Sequence, residues 1–254
     1  MKRTTFVLGA ALLVAACSDT TGPGSQSGVS LSFATSAPGA APSSPGMSMS
    51  IAAIDLTDTE GNTLTLDRVE VVLREIELKR QTAPGCDDLP DNDDCEEFEA
   101  GPVLLDLPLD GNVSTLVTIN PDPDVYDEVE FEIHKVSNDD PEDAAFRQAH
   151  PDMVGKSIRV QGTFNDQPFT YETDLDVEQE FDLNPPLTVD GTATGTNVTI
   201  MLDVDAWFRD LSGTLVNPQD GNKGGQHESL VKENIKQSIE AFEDHDSDGD
   251  PDMS

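Results

Sequence analysis

The sequence predicts an all-β protein: an antiparallel β-sandwich with a short inserted helix and a C-terminal amphipathic helix. Three observations lead there. Apolar residues recur with a period of two in short runs from Val29 onward. Turn residues interrupt those runs, as at Glu60-Gly61-Asn62 and Asp110-Gly111-Asn112. Helical spacing of apolar residues is sustained only near the C-terminus. Roughly seven to ten short strands with frequent turns form a sandwich, with a closed barrel as the alternative.

Each element follows from its local pattern. Val29, Leu31 and Phe33 alternate with Ser30, Ser32 and Ala34, which is a strand with one apolar face. Ser36 to Ser48 is a Ser/Pro/Gly/Ala loop, and Ser50 to Thr57 reads as a second strand. Leu64 and Leu66 are followed by Val69, Val71 and Leu73, then by Ile76 and Leu78. The alternation changes phase twice, so a bulge or break is expected near Asp67 and near Arg74-Glu75. Val103 to Leu107 and Val113 to Ile119 flank the Asp110-Gly111-Asn112 turn. Val129, Phe131 and Ile133 alternate with Glu130, Glu132 and His134, a half-buried strand with an acidic outer face.

Asp140-Pro141 opens the inserted helix, which runs to about His150, with Asp140 as its cap. Ser157 to Phe164 and Phe169 to Asp174 form a hairpin across Asn165-Asp166-Gln167-Pro168. Glu178 to Leu183 and Asn197 to Val204 are further strands, and Ala206 to Arg209 is a helical turn that packs the single Trp. Lys223-Gly224-Gly225 is a break. Leu230, Val231, Ile235, Ile239 and Phe242 then follow helical spacing, with Lys232, Glu233, Lys236 and Glu240 outward. A helix of about fourteen residues is too short to be stable alone and is expected to pack on the sandwich.

The chain has 254 residues, 14 Lys+Arg, 50 Asp+Glu and a net charge of −36. Nucleic acid is excluded as a partner, because phosphate binding needs concentrated positive charge. Protein-surface docking on anionic lipid is excluded for the same reason. Aromatics are 5% of residues, so the core rests on Val, Leu and Ile.

The leader sets the location. Lys2 and Arg3 precede an apolar run from Phe6 to Ala16 that is too short to span a bilayer and suits a signal peptide. It ends Val14-Ala15-Ala16-Cys17. This resembles the lipobox of bacterial lipoproteins, in which the cysteine is lipidated and becomes the first mature residue. The resemblance implies a signal peptide at 1–16, diacylglycerol on Cys17, and membrane contact through that lipid. Ser18, where enteric inner-membrane lipoproteins carry Asp, points to the outer membrane. Residues 17–28 form a lipidated tether, reaching roughly 15–20 Å as a coil. Residues 29–222 make up the sandwich domain, and 223–254 the C-terminal helix and acidic tail. The body, notably Leu64 to Arg80 and Val129 to Lys135, resembles uncharacterised β-sandwich lipoproteins of bacterial envelopes, from which no functional residue carries over.

Cys86 and Cys95 remain, closing the acidic stretch between them. In an oxidising envelope a disulfide is expected, with a thiolate metal site as the alternative. Loop closure would stabilise the fold by about 2–3 kcal/mol.

The strongest local signal for chemistry is Asp244-His245-Asp246-Ser247-Asp248-Gly249-Asp250-Pro251-Asp252. Alternate Asp followed by Gly resembles the first half of an EF-hand or thrombospondin type 3 calcium loop. The resemblance implies side-chain oxygens from Asp244, Asp246 and Asp248, a backbone carbonyl from Asp250, and Asp252 acting directly or through water. The twelfth position, where such loops place a bidentate Glu, falls one residue past Ser254, so weak, millimolar-range binding is implied. A solvated acidic tail is the alternative.

The other acidic clusters, Asp87-Asp88, Asp91 to Glu97, and Asp122 with Asp124, read as solvated loops. His134, His150, His227 and His245 show no metal-binding spacing, and His134 reads as a surface residue. No nucleophile elbow, phosphate loop or dinucleotide fingerprint occurs. The sequence therefore predicts a non-enzymatic envelope lipoprotein that binds an envelope protein or glycan, with calcium as its cofactor. The alternatives are a glycan hydrolase with paired carboxylates and a periplasmic carrier of a ligand or metal.

Overall fold

Period-two patterning becomes paired strands along most of the chain. The computed structural model describes residues 29–36, 53–81, 102–119, 121–189, 196–244 and 249. Eleven strands and two α-helices lie in these residues. In order they are β1 (Val29–Ser36), β2 (Ile54–Thr57), β3 (Thr63–Arg80), β4 (Val103–Asp106), β5 (Ser114–Ile119) and β6 (Asp124–Ile133). Then come α1 (Ala144–Ala149), β7 (Ile158–Phe164), β8 (Gln167–Thr173), β9 (Val177–Val189), β10 (Thr196–Asp203), α2 (Glu228–Gln237) and β11 (Ile239–Glu243). One sheet has the order β11-β10-β1-β5. The other runs β8-β7-β3-β6-β9, with β2 and β4 also paired to β3. The fold is an all-β sandwich: Leu31, Phe33, Val198 and Ile200 of the first sheet join Leu66, Val71, Phe131 and Val160 of the second in one apolar core. One pairing departs from the antiparallel expectation, since β1 runs parallel to β10.

The longest strand explains the shifting alternation. β3 continues unbroken for 18 residues and carries one extra residue at each expected place. Its register against β7 jumps between Leu66 and Arg68, and against β6 between Arg74 and Glu77. Each bulge flips the following side chains to the other face. Leu64 and Leu66, then Val69, Val71 and Leu73, then Ile76 and Leu78, all therefore reach the core. Gly162 sits opposite the first bulge. A Cβ there would lie 1.9 Å from the Thr65 carbonyl oxygen, so only glycine lets the strands approach this closely.

The hairpin turn is tighter than its sequence suggests. Asn165 and Asp166 alone make it, with φ of 48° and 61°, the left-handed pair of a two-residue hairpin. Pro168 enters β8 instead, at the sheet edge, where its missing N–H is tolerated. β9 extends past Leu183 through Pro185 and Pro186, and its register against β6 jumps there, because proline has no N–H for the ladder.

Two helical boundaries differ from expectation. α1 starts at Ala144, with Asp143 rather than Asp140 at its N-cap position. Asp140 instead accepts the Glu142 N–H. Asp143 is buried, accepts the Ser137 N–H and lies 3.3 Å from Arg74, so the chain is tied down before the helix begins. Phe146 of α1 packs with Val72, Val136 and Met153 in a second, smaller apolar cluster.

The C-terminal helix is shorter than predicted. It ends at Gln237, and Ile239 and Phe242 belong to β11, antiparallel to β10. Ser238 marks the change. Its hydroxyl accepts the Trp207 indole N–H at 2.7 Å and donates to the Ile235 carbonyl. The open edge of β10 then offers five residues a full ladder, which outweighs helical spacing.

Candidate functional site

Asp244, which follows β11, sits against a polar face. On β1 and β10, Ser32, Asn197 and Thr199 point away from the apolar core yet are buried. Ser32 donates to Asn197 Oδ1 at 2.6 Å, and Asn197 Nδ2 donates to Thr199 Oγ1 at 2.9 Å. Thr199 in turn donates to Asp244 Oδ2 at 2.8 Å. Asp244 follows β11 directly and is 0% exposed. Its N–H donates to the Asn197 carbonyl, and its Oδ2 also accepts the Gly249 N–H at 3.1 Å. Gly249 has φ of +86°, a conformation that favours glycine. The amide of the loop glycine thus meets the first Asp of the motif. Asp246, Asp248, Asp250 and Asp252 lie outside the described residues, as do Cys17, Cys86 and Cys95.

A second cluster lies on the outer face of β6 and β9. Antiparallel register places Glu130 opposite Glu180 and Glu132 opposite Glu178. Just beyond the last pair, Ile133 with Val177, the side chain of His134 meets that of Asp176. His134 Nδ1 is 3.2 Å from Glu132 Oε1 and 3.3 Å from Asp176 Oδ1. One oxygen each from Glu130, Glu178 and Glu180 forms a neighbouring group within 4.8 Å. Lys79 reaches Glu128 at 2.9 Å and also pairs with Glu130. Burial opposes the charge on Lys79, but these two acids hold its ammonium well above the usual lysine range. Glu178 shares a hydrogen bond with Glu130 and feels that negative charge, which raises its carboxyl above the ordinary value.

Acids elsewhere have cations of their own. Buried Glu70 is held by Arg159 at 2.5 Å and Arg68 at 3.0 Å. Asp174 lies between Lys223 and Lys232. On the β6–β9 face, acids also stand opposite acids across the strands. The sequence showed an acidic outer face there and placed His134 on the surface. The pairing of His134 with Asp176 depends on the register of two distant strands, which periodicity alone does not give.

A cavity of about 360 Å³ lies beside the β10–β11 edge, lined in part by Met201, Asp203, Asn234 and Glu240. No helix among the described residues is long and apolar enough to cross a membrane.

Comparison with known families agrees with the leader. The family model for the prokaryotic membrane lipoprotein lipid attachment site matches residues 1–18. No curated protein and no solved structure matches the chain. The attachment site supports a bacterial envelope lipoprotein anchored through lipid on its cysteine.

Proposed function

We propose that this is a non-enzymatic envelope lipoprotein, whose β-sandwich is held at the outer membrane by lipid on Cys17 and presents an acidic surface to an envelope protein or glycan. The observation that carries the reading is the lipid attachment site at residues 1–18. Multiple acyl chains give stable anchoring, where one chain is marginal. The acidic body then stands off the headgroups, and the tether gives it reach.

In this reading the C-terminal loop takes calcium. Support comes from the alternating Asp residues and from Asp244, buried and bonded to the Gly249 amide at the loop's sharp turn. Because Asp244 also bonds Thr199 of β10, ion binding is coupled to an inner strand of the smaller sheet.

Two measurements test this function. Cys17→Ala is expected to move the protein from the membrane fraction to the soluble one, and unchanged partitioning contradicts the anchor. Millimolar calcium is expected to raise the melting temperature more than sodium at equal ionic strength, with the excess lost in Asp248→Asn. Equal shifts from the two salts contradict a calcium loop.

A further inference from the structure

We propose that Glu132, His134 and Asp176 form a binding site for a divalent transition-metal ion, zinc being the best match, independent of the C-terminal loop. The donor set is one imidazole nitrogen and two carboxylate oxygens, their ligand atoms within 4.8 Å of one another. Imidazole suits zinc and related ions, whereas calcium and magnesium take oxygen ligands.

The spacing fits a metal site. Zinc bonds of about 2.0–2.1 Å at the tetrahedral angle put neighbouring ligand atoms about 3.3 Å apart. The two distances from His134 Nδ1 are 3.2 and 3.3 Å. His134 Nδ1 is itself buried and has no hydrogen-bond partner, although both carboxylates are close. A buried imidazole nitrogen directed between two carboxylate oxygens is placed as a ligand.

The scaffold is rigid and the field favours a cation. Glu132 and His134 are alternate residues on one face of β6 and its end, and Asp176 immediately precedes β9. The ladder's last pair, Ile133 with Val177, directly adjoins His134 and Asp176, which is the support a metal site needs. Arg74 stands opposite Glu132 in the β3–β6 register, and its single charge is shared with Asp140 at 3.2 Å and Asp143 at 3.3 Å, so acids outnumber it there. Lys79 pairs with Glu128 and Glu130, further along β6. Asp176 is 58% exposed, which leaves the outward position open to water or to a donor from a partner.

The test is calorimetric titration of the detergent-solubilised full chain with Zn²⁺ alone, in millimolar calcium. One zinc is expected to bind. His134→Gln and Asp176→Asn are each expected to weaken binding about tenfold or more, since lost second-shell partners alone cost ~10–100-fold. Asp248→Asn in the tail is expected to leave the affinity unchanged. A second readout needs no variant: zinc should protect His134 from diethyl pyrocarbonate while His150 and His227 keep reacting. Absence of zinc binding, binding unchanged in His134→Gln and Asp176→Asn, or His134 reacting equally with and without zinc overturns the proposal.

Discussion

Asp174 receives Lys223 Nζ at 2.8 Å and Lys232 Nζ at 2.9 Å. Those two ammonium groups hold its carboxyl far below the usual carboxylate range. The folded value is below the unfolded one, so the stabilisation is present above about pH 4 and is lost as pH falls through the folded value. Asp174→Asn is expected to cost about 1–2 kcal/mol at pH 7. In thermal melts the gap to the native protein should shrink steadily below about pH 4, and a constant gap from pH 7 to pH 2 contradicts the assignment. Residue chemistry was unevenly legible in the sequence. The lipobox is linear, so Val14 to Cys17 displayed it directly. Asp174 between two lysines, and His134 beside Asp176, exist only because distant segments fold together.

Among the elements, β3 organises the larger sheet. Four strands pair with it, and its two bulges keep three phases of apolar residues on one face. Gly162→Ala is expected to destabilise the fold by about 3 kcal/mol, because the added methyl meets the Thr65 backbone rather than a movable side chain. Urea unfolding with an unchanged slope checks this, and a loss under about 0.5 kcal/mol contradicts the close approach. The phase changes at Asp67 and Arg74-Glu75 were readable because a bulge is written in local periodicity. The end of α2 was not. Ile235 and Ile239 are four apart and read as one helical face, whereas the β10 edge draws the second into β11. Tertiary pairing outweighs spacing when a strand edge lies open. The parallel β1–β10 pair was equally hidden, since alternation carries no strand direction.

At the scale of the whole molecule, charge and anchor belong together. Removing residues 1–16 takes away Lys2 and Arg3 and no acid, leaving 12 basic against 50 acidic groups, a net charge of −38. Such a body gains nothing from anionic headgroups and needs a covalent route to the membrane. The same charge keeps domains apart and soluble. It also concentrates cations near the surface, which suits both the C-terminal loop and the β6–β9 face. The all-β sandwich was legible because period-two patterning dominates the chain, whereas a binding partner is not written in any fold. Lipid on Cys17 is what ties this acidic body to the membrane, and intact mass spectrometry of the protein extracted from membranes reads it out. The expected mass is that of residues 17–254 carrying diacylglycerol and an amide-linked acyl chain at the new N-terminus. A mature chain that begins elsewhere, or that begins at Cys17 without lipid, would contradict the account.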